Sequence, residues 1–172
     1  IMFPSLVTNS LATTLVPAVS ESVSRKNYRV LNERISKSVQ GTIILGMIFT
    51  ALLISYPVQI GNLVYPREEV GDILYTLSFS CVFIYLQQTL MGVMNGLGKQ
   101  GILLRNTVIG SILRIGAIYF LMPAYGVKSY AWCLSISFAL ISLNDLLAIH
   151  KITGLVIDFR NWFVKPGIIV AA

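Results

Sequence analysis

Uncharged hydrophobic stretches recur along the chain, and the run over 39–65 is longer than the roughly twenty residues a helix needs to cross a bilayer. Lipid offers no hydrogen-bond partner to a bare backbone, so such runs persist there only as helices or as strands of a closed barrel. Barrel strands alternate apolar with polar side chains, and unbroken apolar runs of this length exclude that pattern. The fold class expected is an all-α, multi-pass transmembrane helix bundle. Composition agrees, with 55% hydrophobic and 12% charged residues, where a soluble domain carries about a quarter charged.

Along the chain, the first apolar segment, 1–19, carries Pro4 and Pro17 together with Asn9, Ser10, Thr13 and Thr14. That density of polar side chains suits a helix facing a cavity better than one facing lipid. In the following stretch, 20–38, Arg25, Lys26, Arg29, Arg34 and Lys37 surround Tyr28, Leu31 and Ile35. Apolar residues at that spacing share one helix face, which predicts an amphipathic helix lying in the membrane interface. The second span, 39–65, contains Pro57 in its later half, where a lost backbone bond should kink or end the helix.

An acidic loop over 66–72 precedes the third span, 73–94, and a glycine-rich link, 95–101, leads to the fourth, 102–121. A turn at 123–126 opens the fifth, 127–149, and a basic loop, 150–160, runs into the start of another span from about 162. The whole, 1–172, reads as one transmembrane domain. It opens on Ile1 in an apolar run and stops inside another, so the expectation is the middle of a larger protein.

The net charge of +6 raises nucleic acid as a partner, but the basic residues sit at helix ends rather than in one patch, so none is expected. Lys and Arg accumulate in cytoplasmic loops. Arg25 to Lys37, Lys99 with Arg105, and Lys151 with Arg160 and Lys165 fall in alternate connections, whereas the opposite loops hold only Arg67 and Lys128. This places 20–38, 95–101 and 150–160 in the cytoplasm.

Gly96-Leu-Gly98-Lys-Gln-Gly101 has the spacing of a dinucleotide fingerprint, but that motif needs a preceding strand. A membrane helix precedes it here, so a tight glycine turn is expected instead. Gly92 and Gly96 form a small-residue pair suited to close helix contact. Cys81 and Cys133 lie in apolar runs without metal-ligand spacing, and His150 reads as a solvated imidazole. No catalytic carboxylate pair, Ser/His/Asp set or metal cluster occurs, so an enzyme is not expected, nor is a cofactor or metal.

Arg114 sits near the middle of the fourth span, where facing lipid would cost roughly 3 kcal/mol. It therefore faces protein or water, either as a fixed charge for an anionic substrate, in a structural ion pair, or snorkelling toward an interface. Asp145 reads as interfacial, and Gln87, Gln88 and Asn106 either join helices or line a hydrated path.

As a group, Pro17-Ala-Val-Ser-Glu21 before the basic stretch, Gln88 through Gly92 to Asn95-Gly-Leu-Gly-Lys99, and Pro123-Ala-Tyr-Gly126 resemble one family. It is the stage V sporulation protein B type of polysaccharide transporter, within the multidrug/oligosaccharidyl-lipid/polysaccharide flippase superfamily. The resemblance covers essentially the whole chain and implies a fragment of the second of two similar lobes, with the first lobe as its partner.

The resemblance further implies a bacterial cell-membrane transporter for cell-wall or spore construction. It would flip a lipid-linked oligosaccharide or peptidoglycan precursor, an anionic saccharide on a lipid, by alternating access. Moving such a head group needs a hydrated, positive cavity, which makes Arg114, Asn9, Thr13 and Gln88 the substrate-path candidates. The alternatives are a cation-coupled multidrug exporter of the same superfamily and a nontransporting scaffold for envelope synthesis.

Overall fold

The computed structural model describes residues 2–64, 69–155 and 162. Six helices follow one another: α1 (Met2–Ser24), α2 (Tyr28–Ser55), α3 (Pro57–Val64), α4 (Glu69–Gly96), α5 (Gln100–Tyr125) and α6 (Val127–Thr153). The chain is thus an all-α bundle, with no strand among the described residues. Four helical stretches, Tyr28–Ser55, Leu74–Gly96, Gln100–Phe120 and Ser129–Thr153, are long and apolar enough to cross a membrane. Arg67, Arg160, Lys165 and the span expected from 162 onward, apart from Trp162 itself, lie outside the described residues.

Helix α4 is the hub, packed against α1, α2, α3 and α6, while α5 lies chiefly on α6. Its small side chains let neighbours come close. A Cβ on Gly92 would stand 2.5 Å from the Ala12 carbonyl oxygen, and one on Gly96 would stand 2.7 Å from Val19 Cβ. These contacts bring α1 against α4 in parallel, as the small-residue pair predicts. Ser20 Oγ donates to the Gly96 carbonyl at 2.9 Å, locking the same ends together. Antiparallel α2 joins α4 through the Thr42–Thr89 hydroxyl pair at 2.7 Å and the Thr50 bond to the Ser78 carbonyl at 3.0 Å.

The basic stretch 20–38 is not a separate interfacial helix, and this corrects the expectation. Its first residues finish α1, and Tyr28 onward belongs to α2, which runs unbroken into the apolar span. The turn between them closes with Lys26 N–H on the Val23 carbonyl at 2.9 Å and Asn27 N–H on the Ser22 carbonyl at 3.0 Å. That pairing is a Schellman motif, and Asn27 Oδ1 then caps α2 by accepting from Val30 N–H. Leu31 and Ile35 are fully buried, in one cluster with Val19, Val39, Leu90, Met94 and Ile149. Their shared face meets protein, because no breaker separates them from the span that follows.

The expected span 39–65 is two helices, divided at Tyr56 before Pro57. The glycine-rich link is a turn as expected: Gly98 has φ of 67°, and Lys99 N–H bonds the Met94 carbonyl at 3.0 Å. Alternate helices therefore bring the α1–α2 turn, the α4–α5 turn and the end of α6 to one end of the bundle. Asn32 Nδ2, on α2, donates to the Thr153 carbonyl at 3.1 Å there. Arg25, Lys26, Lys99, Arg105 and Lys151 all gather at that end.

Candidate functional site

Helix α1 divides sharply by polarity. Ala12, Leu15 and Val19 are buried against the bundle, whereas Asn9, Ser10, Thr13, Thr14, Pro17, Ser20 and Glu21 are exposed. An exposed surface in lipid is normally apolar, and α5 shows that pattern with Leu104, Ile112, Ile115, Tyr119 and Phe120. The outer face of α1 instead offers an amide, hydroxyls and a carboxylate. Thr13 and Thr14 donate to the carbonyls of Ser10 and Leu11, each at 2.9 Å, and keep acceptor lone pairs outward. Pro17 lacks the N–H that would bond the Thr13 carbonyl, so a backbone acceptor is freed beside them.

Gln88 lies behind this face. Its Oε1 accepts a hydrogen bond from Thr8 Oγ1, tying α4 to α1. Arg34 closes the basic end, donating to the Ala18 carbonyl at 2.9 Å and to Ser22 Oγ at 3.3 Å. Glu21 is held there by Arg25 at 2.9 Å and by Arg34 at 3.8 Å.

Arg114 stands apart on α5. Its Nε donates to the Gly110 carbonyl at 3.3 Å, and the guanidinium lies 5.2 Å from the centre of the Phe138 ring on α6. The ring face and the carbonyl stabilise a cation that would otherwise be costly at this depth. Among the described residues Arg114 forms no salt bridge. Asn9 and Thr13 thus share the exposed face of α1, Gln88 reaches that helix at buried Thr8, and Arg114 sits apart between α5 and α6.

Asp145, expected near the cytoplasmic end of its span, is enclosed by protein rather than exposed there. It is fully buried, and its Oδ1 accepts from Asn106 Nδ2 at 2.7 Å across the α5–α6 pair. Its Oδ2 has no hydrogen-bond partner among the described residues. The residue lies two turns inside the end of α6, roughly 12 Å from Thr153 at 1.5 Å per residue. The signal was present in the hairpin register: Asn106 is twenty residues before Gly126 and Asp145 nineteen after it. Equal arms of an antiparallel pair meet. His150, in the last turn of α6 rather than in a loop, pairs its Nδ1 with the Leu155 carbonyl at 2.6 Å.

No family model matches the chain, and no solved structure matches it. Two curated proteins of Bacillus subtilis (strain 168) do. The chain is 24% identical over 169 residues to stage V sporulation protein B, covering 97% of this chain and 33% of that protein. It is 26% identical over 142 residues to the uncharacterized membrane protein YabM, covering 83% of this chain and 27% of that protein. The chain spans about a third of the length of the relatives it matches. The apolar helices and these relatives together support a membrane location.

Proposed function

We propose that the chain is part of the second lobe of a multi-pass bacterial transporter that flips a lipid-linked oligosaccharide or peptidoglycan precursor by alternating access. The observation that carries this reading is the polar outer face of α1 on a bundle otherwise clothed in apolar side chains. Hydroxyls, an amide and a freed carbonyl suit a sugar head group, which cannot enter hydrocarbon unsolvated. In this reading the face lines the cleft between lobes, the basic end is cytoplasmic, and Arg114 supplies a positive potential from across the hub. The similarity to stage V sporulation protein B supports an envelope role.

The test is flipping of a fluorescent polyprenyl-diphosphate sugar by the full-length protein in liposomes. Replacing Asn9 with Leu and Thr13 with Val should abolish flipping while the protein stays folded. Normal flipping by that double variant would end the assignment of the α1 face. An unchanged rate and affinity in Arg114→Gln would remove Arg114 from the mechanism.

A cation-coupled exporter is the second reading, and Asp145 favours it. A buried carboxylate with one oxygen unpartnered is the kind of group that exchanges a cation inside a membrane protein. Loss of gradient-driven drug efflux in Asp145→Asn, with flipping absent in the unmodified protein, would favour this reading over the first.

A further inference from the structure

Two clefts open along the seam between α5 and α6. One, of about 260 Å³, is bounded by Ile102, Arg105, Asn144, Leu147 and Lys151. The other, of about 150 Å³, is bounded by Leu113, Ala117, Cys133, Ile136 and Leu140. On α6 the residues at 133, 136, 140, 144, 147 and 151 recur every three or four positions, the spacing of a single helix face. Because α5 runs antiparallel to α6, the two clefts lie in line along one seam, the α5–α6 groove. It is basic and polar at one end and apolar farther in.

The charges lie at head-group depth. Arg105 is in the second turn of α5 and Lys151 in the last turn of α6, so both stand within roughly 8 Å of the helix ends. No acidic residue is among those lining the basic cleft. Arg25 and Lys37 pair with Glu21 and Glu33 at 2.9 and 2.7 Å, whereas Arg105 and Lys151, like Lys26, Arg29 and Lys99, form no salt bridge among the described residues.

From this geometry we propose that the α5–α6 groove seats one anionic glycerophospholipid of the surrounding bilayer. Arg105, Lys151 and the Asn144 amide hold its phosphate, and an acyl chain lies along Leu113, Ala117 and Leu140. Basic clefts between membrane helices at the head-group level are recognised binding places for such lipids. A soluble phosphate would use the cations and leave the apolar stretch empty. The residues that line it belong to α5 and α6 and none to α1, so we take the bound lipid as a bilayer component rather than the transported molecule.

The experiment is native mass spectrometry of the protein released from detergent after equilibration with equal amounts of phosphatidylglycerol and phosphatidylcholine. The unmodified protein should retain one phosphatidylglycerol in preference to phosphatidylcholine. Arg105→Gln with Lys151→Gln should lower that preference about thirtyfold, at about 1 kcal/mol for each charge removed. Arg105→Lys should keep it, and Ala117→Trp should weaken long-chain but not short-chain lipid.

Neutralising Lys26 and Arg29, which lie at the same end but outside the groove, should change nothing. Equal retention of the two lipids, or an equal loss in the Lys26 and Arg29 variant, would overturn the proposal. So would one-for-one displacement by a polyprenyl-diphosphate sugar, which would make the groove a substrate site. Flipping that fails altogether would defeat the transporter reading and leave this lipid site standing.

Discussion

Gly92 and Lys26 show how single positions set the geometry of the bundle. A methyl group at Gly92 would meet the backbone of Ala12, with the oxygen at 2.5 Å and Cα at 2.8 Å. Backbone cannot swing aside as a side chain can, so Gly92→Ala must push α1 off α4, at a cost of about 1–3 kcal/mol. Thermal unfolding in detergent should show a lowered midpoint for it, whereas Gly116→Ala, whose Cβ meets nothing within 4 Å, should not lower the midpoint. Lys26 holds φ of 53° in the turn after α1, a left-handed conformation that costs an ordinary residue roughly 1–2 kcal/mol. Glycine adopts it freely but loses more chain entropy on folding, so Lys26→Gly should gain up to about 1 kcal/mol in the same measurement. A gain of that sign would confirm that the turn between α1 and α2 falls there.

At the scale of elements, the apolar spans were legible because hydropathy over twenty residues is a strong signal. The junction of α1 and α2 was not. Leu31 and Ile35 recur at helical spacing, and that spacing is the same whether the face meets lipid head groups or a protein core. What decides is where the chain reverses, and the reversal uses Lys26 in place of the glycine that would have marked it. Pro57, by contrast, announced its break. It removes the bond to the Leu53 carbonyl, although Tyr56 N–H still reaches the Leu52 carbonyl and Ile60 N–H the Tyr56 carbonyl, both at 3.1 Å. The flanking bonds imply that the ring alone keeps α2 and α3 apart, and the bend lets α3 lean on α4. Pro57→Ala should therefore merge the two helices, and the distance between spin labels at Ile48 and Gln59 should lengthen relative to the parent.

Across the whole molecule, the candidate site divides into a part that composition revealed and a part that only pairing of distant residues could reveal. The hydroxyls and amide of α1 lie close together in sequence, so Asn9 and Thr13 stood out before any tertiary contact was known. Asp145 and Asn106 are thirty-nine residues apart and meet only because α5 and α6 form a hairpin. That pair is also one of the contacts that hold α5, packed chiefly on α6, to the bundle. Asp145→Leu would leave the buried Asn106 amide bare, and Asn106→Leu would strip the carboxylate of its donor. Each should destabilise by about 1–3 kcal/mol. The double replacement puts apolar groups on both sides and should recover part of the loss, giving a coupling of roughly 0.5–3 kcal/mol in a double-mutant cycle read by unfolding in detergent. Asp145→Asn keeps a hydrogen-bonding partner and should cost less than Asp145→Leu. Additive losses in the cycle would mean that the pair does not join the helices, and α5 would then owe its place to the Gly110–Ile141 approach and the Ser137 bond to the Gly110 carbonyl at 3.2 Å.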